Sequence, residues 1–130
     1  MRKVLPLLLL AAGCAPSAGP SAALAADGDV PAATPAGEPE QCIPIRSIRE
    51  SRVRSDQVID FVATGRRVYR VTLPQRCPGL GFEQRFTYAT SLDRLCAQDI
   101  ITVLYQGGAP QRGASCGLAP FQPVTLATRR

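Results

Sequence analysis

Histidine is absent from all 130 residues of this chain. Its absence takes away the commonest general base and the commonest metal ligand. Tryptophan is absent too, and only four Phe and three Tyr occur. A core must therefore be built mostly from Ile, Val and Leu. Lysine occurs once, at Lys3, so positive charge further along is carried by arginine alone. Long apolar runs are also missing: Val4–Ala12 spans only nine residues, too few to cross a bilayer. What is present in excess is alanine, proline and arginine, with five cysteines.

The first residues have the layout of a secretory signal. Met1-Arg2-Lys3 is a positive start, and Val4 to Ala12 is the apolar region behind it. The run ends Leu10-Ala11-Ala12-Gly13-Cys14. A small residue before a cysteine, after an apolar run, resembles the lipobox of bacterial lipoproteins. The resemblance implies a signal peptide over 1–13, cleavage before Cys14, and lipidation of Cys14. Ala11 stands where Leu is usual in such a box. The alternative is ordinary cleavage after Ala23-Leu24-Ala25, which would release a secreted protein without Cys14. The expected location is the bacterial cell envelope, lipid-anchored and facing the periplasm, with secretion to the periplasm as the alternative.

Residues 14–40 read as the lipidated cysteine followed by a disordered Ala/Pro linker. Residues 15–40 hold nine Ala, five Pro and three Gly, with no aromatic residue and one Leu. Such a segment cannot bury enough apolar surface to offset its ordering entropy. As a flexible coil its ends would lie roughly 30 Å apart, and about 80 Å apart if stretched toward polyproline II. Charge segregates along the chain. The linker carries four acids and no base, whereas residues 41–130 carry thirteen Arg against six acids, a net +7.

Residues 41–127 read as one small β domain. Ile45 to Arg54 is expected as a first strand, and Ser55-Asp56 supplies turn chemistry. The clearest strands are Val58–Ala63 and Val68–Leu73, flanking Thr64-Gly65-Arg66 as a hairpin. Side-chain alternation selects its register. Ile59 should oppose Val71 and Phe61 should oppose Tyr69 on one face, with Asp60 opposite Arg70 on the other. That register needs an odd loop of three or five residues. Asp60 and Arg70 would then be an exposed pair, worth about a few tenths of a kcal/mol. Leu73 to Phe82 forms a corner around Cys77. Arg85–Thr90 is a short strand, and Ser91–Cys96 is expected as one helical turn capped by Ser91. Asp99–Tyr105 is the most apolar strand, Gln106–Ser115 a Gly-rich loop, and Phe121–Ala127 a last edge strand. The fold class is mostly β: a small antiparallel meander forming a half-open barrel or sandwich, with one short helical turn and two disulfides.

Cys42, Cys77, Cys96 and Cys116 are even in number in an exported context, which reads as a disulfide framework. A zinc site is disfavoured because no close C-x-x-C pair would seed one. Three pairings are possible. An up-and-down path places Cys42 and Cys96 at one end and Cys77 and Cys116 at the other, favouring Cys42–Cys96 and Cys77–Cys116.

Two apparent catalytic patterns carry nothing. Gly113-Ala114-Ser115-Cys116-Gly117 matches the nucleophile elbow G-x-S-x-G, but it lacks a histidine base and a following helix. Asp60 and Asp99 have arginines available and no feature that brings them together as a dyad. No catalytic residue, metal ligand or cofactor is expected. The arginines are the better lead: Arg46, Arg49, Arg52 and Arg54 on the first strand, with Arg66, Arg67 and Arg70 on the hairpin. On one face they would suit phosphate or carboxylate groups. Lipid headgroups, an anionic glycan or an acidic envelope protein are the candidate partners. Nucleic acid is disfavoured, since no aromatic stacking platform accompanies the bases. The competing view is that these arginines solubilise the domain and protect its strand edges.

Several segments together resemble a family of small exported bacterial proteins with a four-cysteine domain of unknown function. They are Cys42-Ile43-Pro44, Ile48-Arg49, Leu73-Pro74, Arg76-Cys77-Pro78-Gly79-Leu80, Leu95-Cys96, Ile101-Thr102-Val103-Leu104 and Gly113-Ala114-Ser115-Cys116-Gly117-Leu118. The likeness spans about residues 42–124 and implies an envelope domain, with no activity to transfer. The expectation is a non-enzymatic, lipid-anchored envelope protein that binds a protein partner or an anionic envelope component. The alternative is a small secreted inhibitor or interaction module that binds through Cys77-Pro78 or the Gly107–Ser115 loop. An enzyme of unrecognised type comes third.

Overall fold

Strict alternation in Val58–Ala63 places Ile59, Phe61 and Ala63 on one side, and all three are buried. Tyr69 and Val71 continue that buried side on the neighbouring strand, and Leu73 just beyond it is buried as well. These side chains nucleate the core of the computed structural model, which describes residue 13 and residues 30–90, 92–106 and 111–127. The strands in chain order are β1 (Ala33–Pro35), β2 (Cys42–Pro44), β3 (Ile48–Val53), β4 (Val58–Ala63) and β5 (Val68–Thr72). They continue as β6 (Phe86–Tyr88), β7 (Arg94–Cys96), β8 (Ile100–Tyr105), β9 (Gln111–Gly117) and β10 (Gln122–Leu126). One helix, α1 (Leu80–Glu83), and short 3-10 turns complete the described part.

The fold is mostly β and antiparallel. A five-stranded sheet runs β1-β10-β5-β4-β3, a three-stranded sheet runs β6-β8-β9, and β2 pairs with β7. Among the described residues these sheets do not close into a barrel. Their inner faces meet instead. Phe61 of the large sheet packs edge-on against Phe86 of the small one at 6.2 Å, and against Phe121 at 5.6 Å. Leu80, Leu95, Ile101 and Val103 close the core from the opposite side, each fully buried. Burying one such side chain contributes about 1.5–3 kcal/mol.

The β4–β5 hairpin has the expected register, with Ile59 opposite Val71, Asp60 opposite Arg70 and Phe61 opposite Tyr69. The Ala63 N–H donates to the Arg67 carbonyl at 2.7 Å, leaving the three-residue turn Thr64–Arg66. Gly65 (φ 75°) and Arg66 (φ 61°) both take left-handed conformations there. Glycine does so without penalty, whereas at Arg66 the conformation costs roughly 1–2 kcal/mol.

Both disulfides join the expected partners, Cys42–Cys96 and Cys77–Cys116. The first bridges residues directly opposite each other in the β2–β7 pair. They enclose separations of 54 and 39 residues, so each restricts the unfolded chain by about 4 kcal/mol in the loop-entropy account.

Other expectations are corrected. Ser91–Cys96 is not a helical turn. Arg94–Cys96 is strand β7, because Leu95 buries fully opposite Ile43 and that pairing requires extended backbone; Ser91 itself lies outside the described residues. The helical turn falls at Leu80–Glu83 instead, entered through Gly79 in a left-handed conformation (φ 85°). Ile45–Ser47 is a 3-10 turn, so the first long strand begins at Ile48. The Gln106–Ser115 loop is shorter than expected, since β9 starts at Gln111; residues 107–110 lie outside the described residues. β10 is an interior strand, because β1 covers its other edge. β1 itself lies inside the stretch read as a disordered linker. The chain is described from residue 30 onward and packs on the domain before residue 41.

Candidate functional site

The seven arginines singled out above divide into two populations. Asp60 decides the division. It sits on the face of β4 opposite the main core, yet it is 0% exposed. Arg54 Nε donates to Asp60 Oδ2 at 2.9 Å, while Arg70 donates from Nε to Oδ1 at 2.8 Å and from Nη2 to Oδ2 at 3.0 Å. The remaining Arg70 arm, Nη1, donates to the Pro31 carbonyl at 2.9 Å. Two guanidiniums thus hold one carboxylate, and the incoming N-terminal segment meets one of them, Arg70, through the Pro31 carbonyl. The expected exposed Asp60–Arg70 pair is therefore corrected to a buried one.

The position of that segment has a local cause. Ala33 pairs with Leu126 and Pro35 with Val124, so β1 lies along β10. The Ala127 N–H reaches the Ala32 carbonyl at 2.9 Å, and the Ala36 N–H reaches the Pro123 carbonyl at 2.8 Å. Val124, opposite Val68 on β5, becomes buried. Small Ala and Thr side chains let the segment lie close. Backbone bonds rather than apolar bulk hold it.

Arg54 and Arg70 are thereby committed to the fold, with side chains only 19% and 14% exposed. They are withdrawn from the surface patch. Arg52 turns to Glu50, Nε to Oε1 at 3.0 Å, at an exposed position. That hydrogen bond is the main cause holding the Glu50 carboxyl below its ordinary value. Arg46 makes a loose 3.7 Å pair with Asp93, both largely exposed. Such exposed pairs contribute about 0–1 kcal/mol and leave the guanidinium available to a ligand.

Arg49, Arg66 and Arg67 are exposed and form no ion pair among the described residues. The register brings them together. The β3–β4 pairing shifts between Ile48 and Glu50, so Arg49 sits at a bulge beside Ala63. Ala63 in turn bonds to Arg67 across the hairpin, and the turn between them carries Arg66. Arg46, in the turn before β3, belongs to the same end of the sheet. A shallow groove of about 400 Å³ adjoins it, lined by Arg66, Arg67, Tyr69, Glu40 and Pro123 among others. The clustered cations are therefore Arg46, Arg49, Arg66 and Arg67.

The rejected catalytic patterns have structural counterparts. Gly113–Gly117 lies within strand β9 rather than a strand-to-helix turn, and Ser115 Oγ sits 2.9 Å from Thr102 Oγ1. Asp99 Oδ2 accepts the Cys96 N–H at 2.7 Å, while Asp60 is held by its arginines. Among the described residues no group of three or more His, Cys, Asp or Glu side chains could hold a metal ion. None of their helices is long and apolar enough to cross a membrane. Cys14, the expected lipidation site, lies outside the described residues. No protein-family model matches the chain, and no match was found among curated proteins or solved structures.

Proposed function

We propose that this chain is a non-enzymatic, lipid-anchored envelope protein whose β domain binds an anionic envelope component through Arg46, Arg49, Arg66 and Arg67. One observation carries the reading. The fold consumes Arg54 and Arg70 internally but leaves these four guanidiniums exposed at one end of the sheet. Planar guanidiniums engage phosphate or carboxylate in bidentate fashion and keep their charge at any physiological pH. The acceptance of a left-handed backbone at Arg66 fits such a role, because residues kept in costly conformations cluster at binding sites. The lipobox-like Leu10–Cys14 segment and the likeness to exported four-cysteine proteins support the envelope location. The two disulfides fit an oxidising compartment.

The test is sedimentation with vesicles of neutral phosphatidylcholine, with and without anionic phosphatidylglycerol, using protein that lacks its lipid. Binding should require the anionic lipid and weaken steeply between low and high salt. Arg49→Gln/Arg66→Gln/Arg67→Gln should remove it without lowering the melting temperature. Equal retention on both vesicle types, or retention indifferent to salt, refutes the reading.

A further inference from the structure

The three-stranded sheet has a second face. Inward, β8 buries Ile101 and Val103 completely. Outward, the same strand presents Ile100, Thr102 and Leu104, and among the described residues no other strand or helix pairs over them. Ile100 is 58% exposed, a large aliphatic side chain left in water at the start of a central strand. Thr102 lies opposite Thr87 on β6 and opposite Ser115 on β9, so three hydroxyl side chains form one row across the sheet. Adjacent strands are about 4.8 Å apart, which sets the spacing of the row on the scale of a single sugar ring.

A groove of about 430 Å³ runs along this face, lined by Thr87, Gln98, Asp99, Ile100, Thr102 and Arg112 among others. That volume falls within the range of small-ligand sites, about 300–1,000 Å³. Its chemistry is mixed in a particular way. Hydroxyl and amide groups can both donate and accept, and Ile100 offers an apolar surface for a C–H face. Arg112 forms no ion pair among the described residues and is exposed. Asp99 is fixed in orientation, since its Oδ2 accepts the Cys96 N–H at 2.7 Å. A carboxylate in the same groove opposes a doubly charged phosphate but tolerates a single carboxylate that Arg112 can grip.

We propose that this face is a binding site for an acidic saccharide, one carrying uronate carboxylates. Arg112 takes the carboxylate, Thr87, Thr102 and Gln98 bond ring hydroxyls, and Ile100 packs on the ring's apolar side. The site lies on a different sheet from the arginine end and does not depend on that reading.

The experiment is titration of the full-length protein with an oligogalacturonate, followed by amide chemical shifts and calorimetry. A neutral oligosaccharide and inorganic phosphate serve as parallel probes. Shifts should centre on Thr87, Ile100, Thr102 and Arg112. Arg112→Gln should weaken binding about tenfold, as loss of one charge-assisted bidentate contact does. Thr87→Val/Thr102→Val keeps strand propensity and should weaken it similarly, whereas Arg66→Gln/Arg67→Gln should leave it unchanged. Absence of binding overturns the proposal, as does loss only in the Arg66/Arg67 variant. Phosphate binding equal to that of the uronate also overturns it. The shift map of the unmodified protein decides the matter even if a variant folds poorly.

Discussion

Replacing Asp60 by alanine tests how the outer face of the large sheet is held. Three charge-assisted hydrogen bonds vanish at once, two from Arg70 and one from Arg54. Two guanidiniums then face a small cavity without their counter-ion. Breaking a buried ion pair from one side costs about 3–5 kcal/mol, because the partner charge stays behind unpaired. Here the guanidiniums keep 14% and 19% exposure and Arg70 keeps its bond to Pro31, so the lower end applies, ~3 kcal/mol. For a domain of this size that lowers the melting temperature by about 12–24 °C. The assay is urea unfolding with disulfides intact, in which the midpoint should fall at nearly constant slope. The loss should persist at high salt, since a buried pair is poorly screened. Asp60→Leu/Arg70→Met should cost less than Asp60→Leu alone, because only Arg54 is then left without its counter-ion. A loss below about 1 kcal/mol, typical of an exposed pair, would refute the buried arrangement.

Removing residues before Gly37 should cost about 1–2 kcal/mol, because β1 is held by backbone bonds rather than by large buried side chains. The Ala127 amide, which donates to Ala32, should then exchange with deuterium faster; unchanged exchange would show that the segment does not dock in solution. Gly81→Ala should lose roughly 1–3 kcal/mol through overpacking. Its new Cβ would lie 3.0 Å from Asp56 Oδ1, 3.1 Å from the Asp56 backbone N and 3.2 Å from the Ser55 carbonyl carbon, and backbone cannot swing aside. Gly65→Ala meets no atom within 4 Å and should lose only about 1 kcal/mol, for its left-handed φ of 75°. Thermal melts that rank Gly65→Ala as the more damaging would contradict both assignments.

The parts of the fold that were legible share a cause. Val58–Ala63 and Val68–Thr72 alternate with period two, and one buried face suffices to set their register. The disulfide pairing followed from which strand ends come together. β7 is not legible in the sequence because Ser91-Leu92-Asp93 reads as a helix start. What decides it is burial of Leu95 against Ile43, a tertiary fact. β1 was invisible for a different reason. Ala33-Thr34-Pro35 has no side-chain periodicity to read, and its pairing depends on an open edge of β10 almost ninety residues away.

The arginines show where strand assignment stops being enough. Arg52 and Arg70 lie on strands of one sheet and Arg54, expected on the first strand, directly follows β3, yet only Arg54 and Arg70 are drawn inward. The discriminating signal lay in their neighbours. Val58, Val62 and Val68 share the outward face with Asp60, and these apolar neighbours shield the carboxylate from water. A carboxylate shielded in this way cannot stay unpaired, and the arginines within reach must serve it. The cations beyond that reach, Arg49, Arg66 and Arg67, are left to the surface at the hairpin end. A ligand site built on arginine is therefore located by first subtracting the arginines that buried carboxylates require, and Asp60 performs that subtraction here.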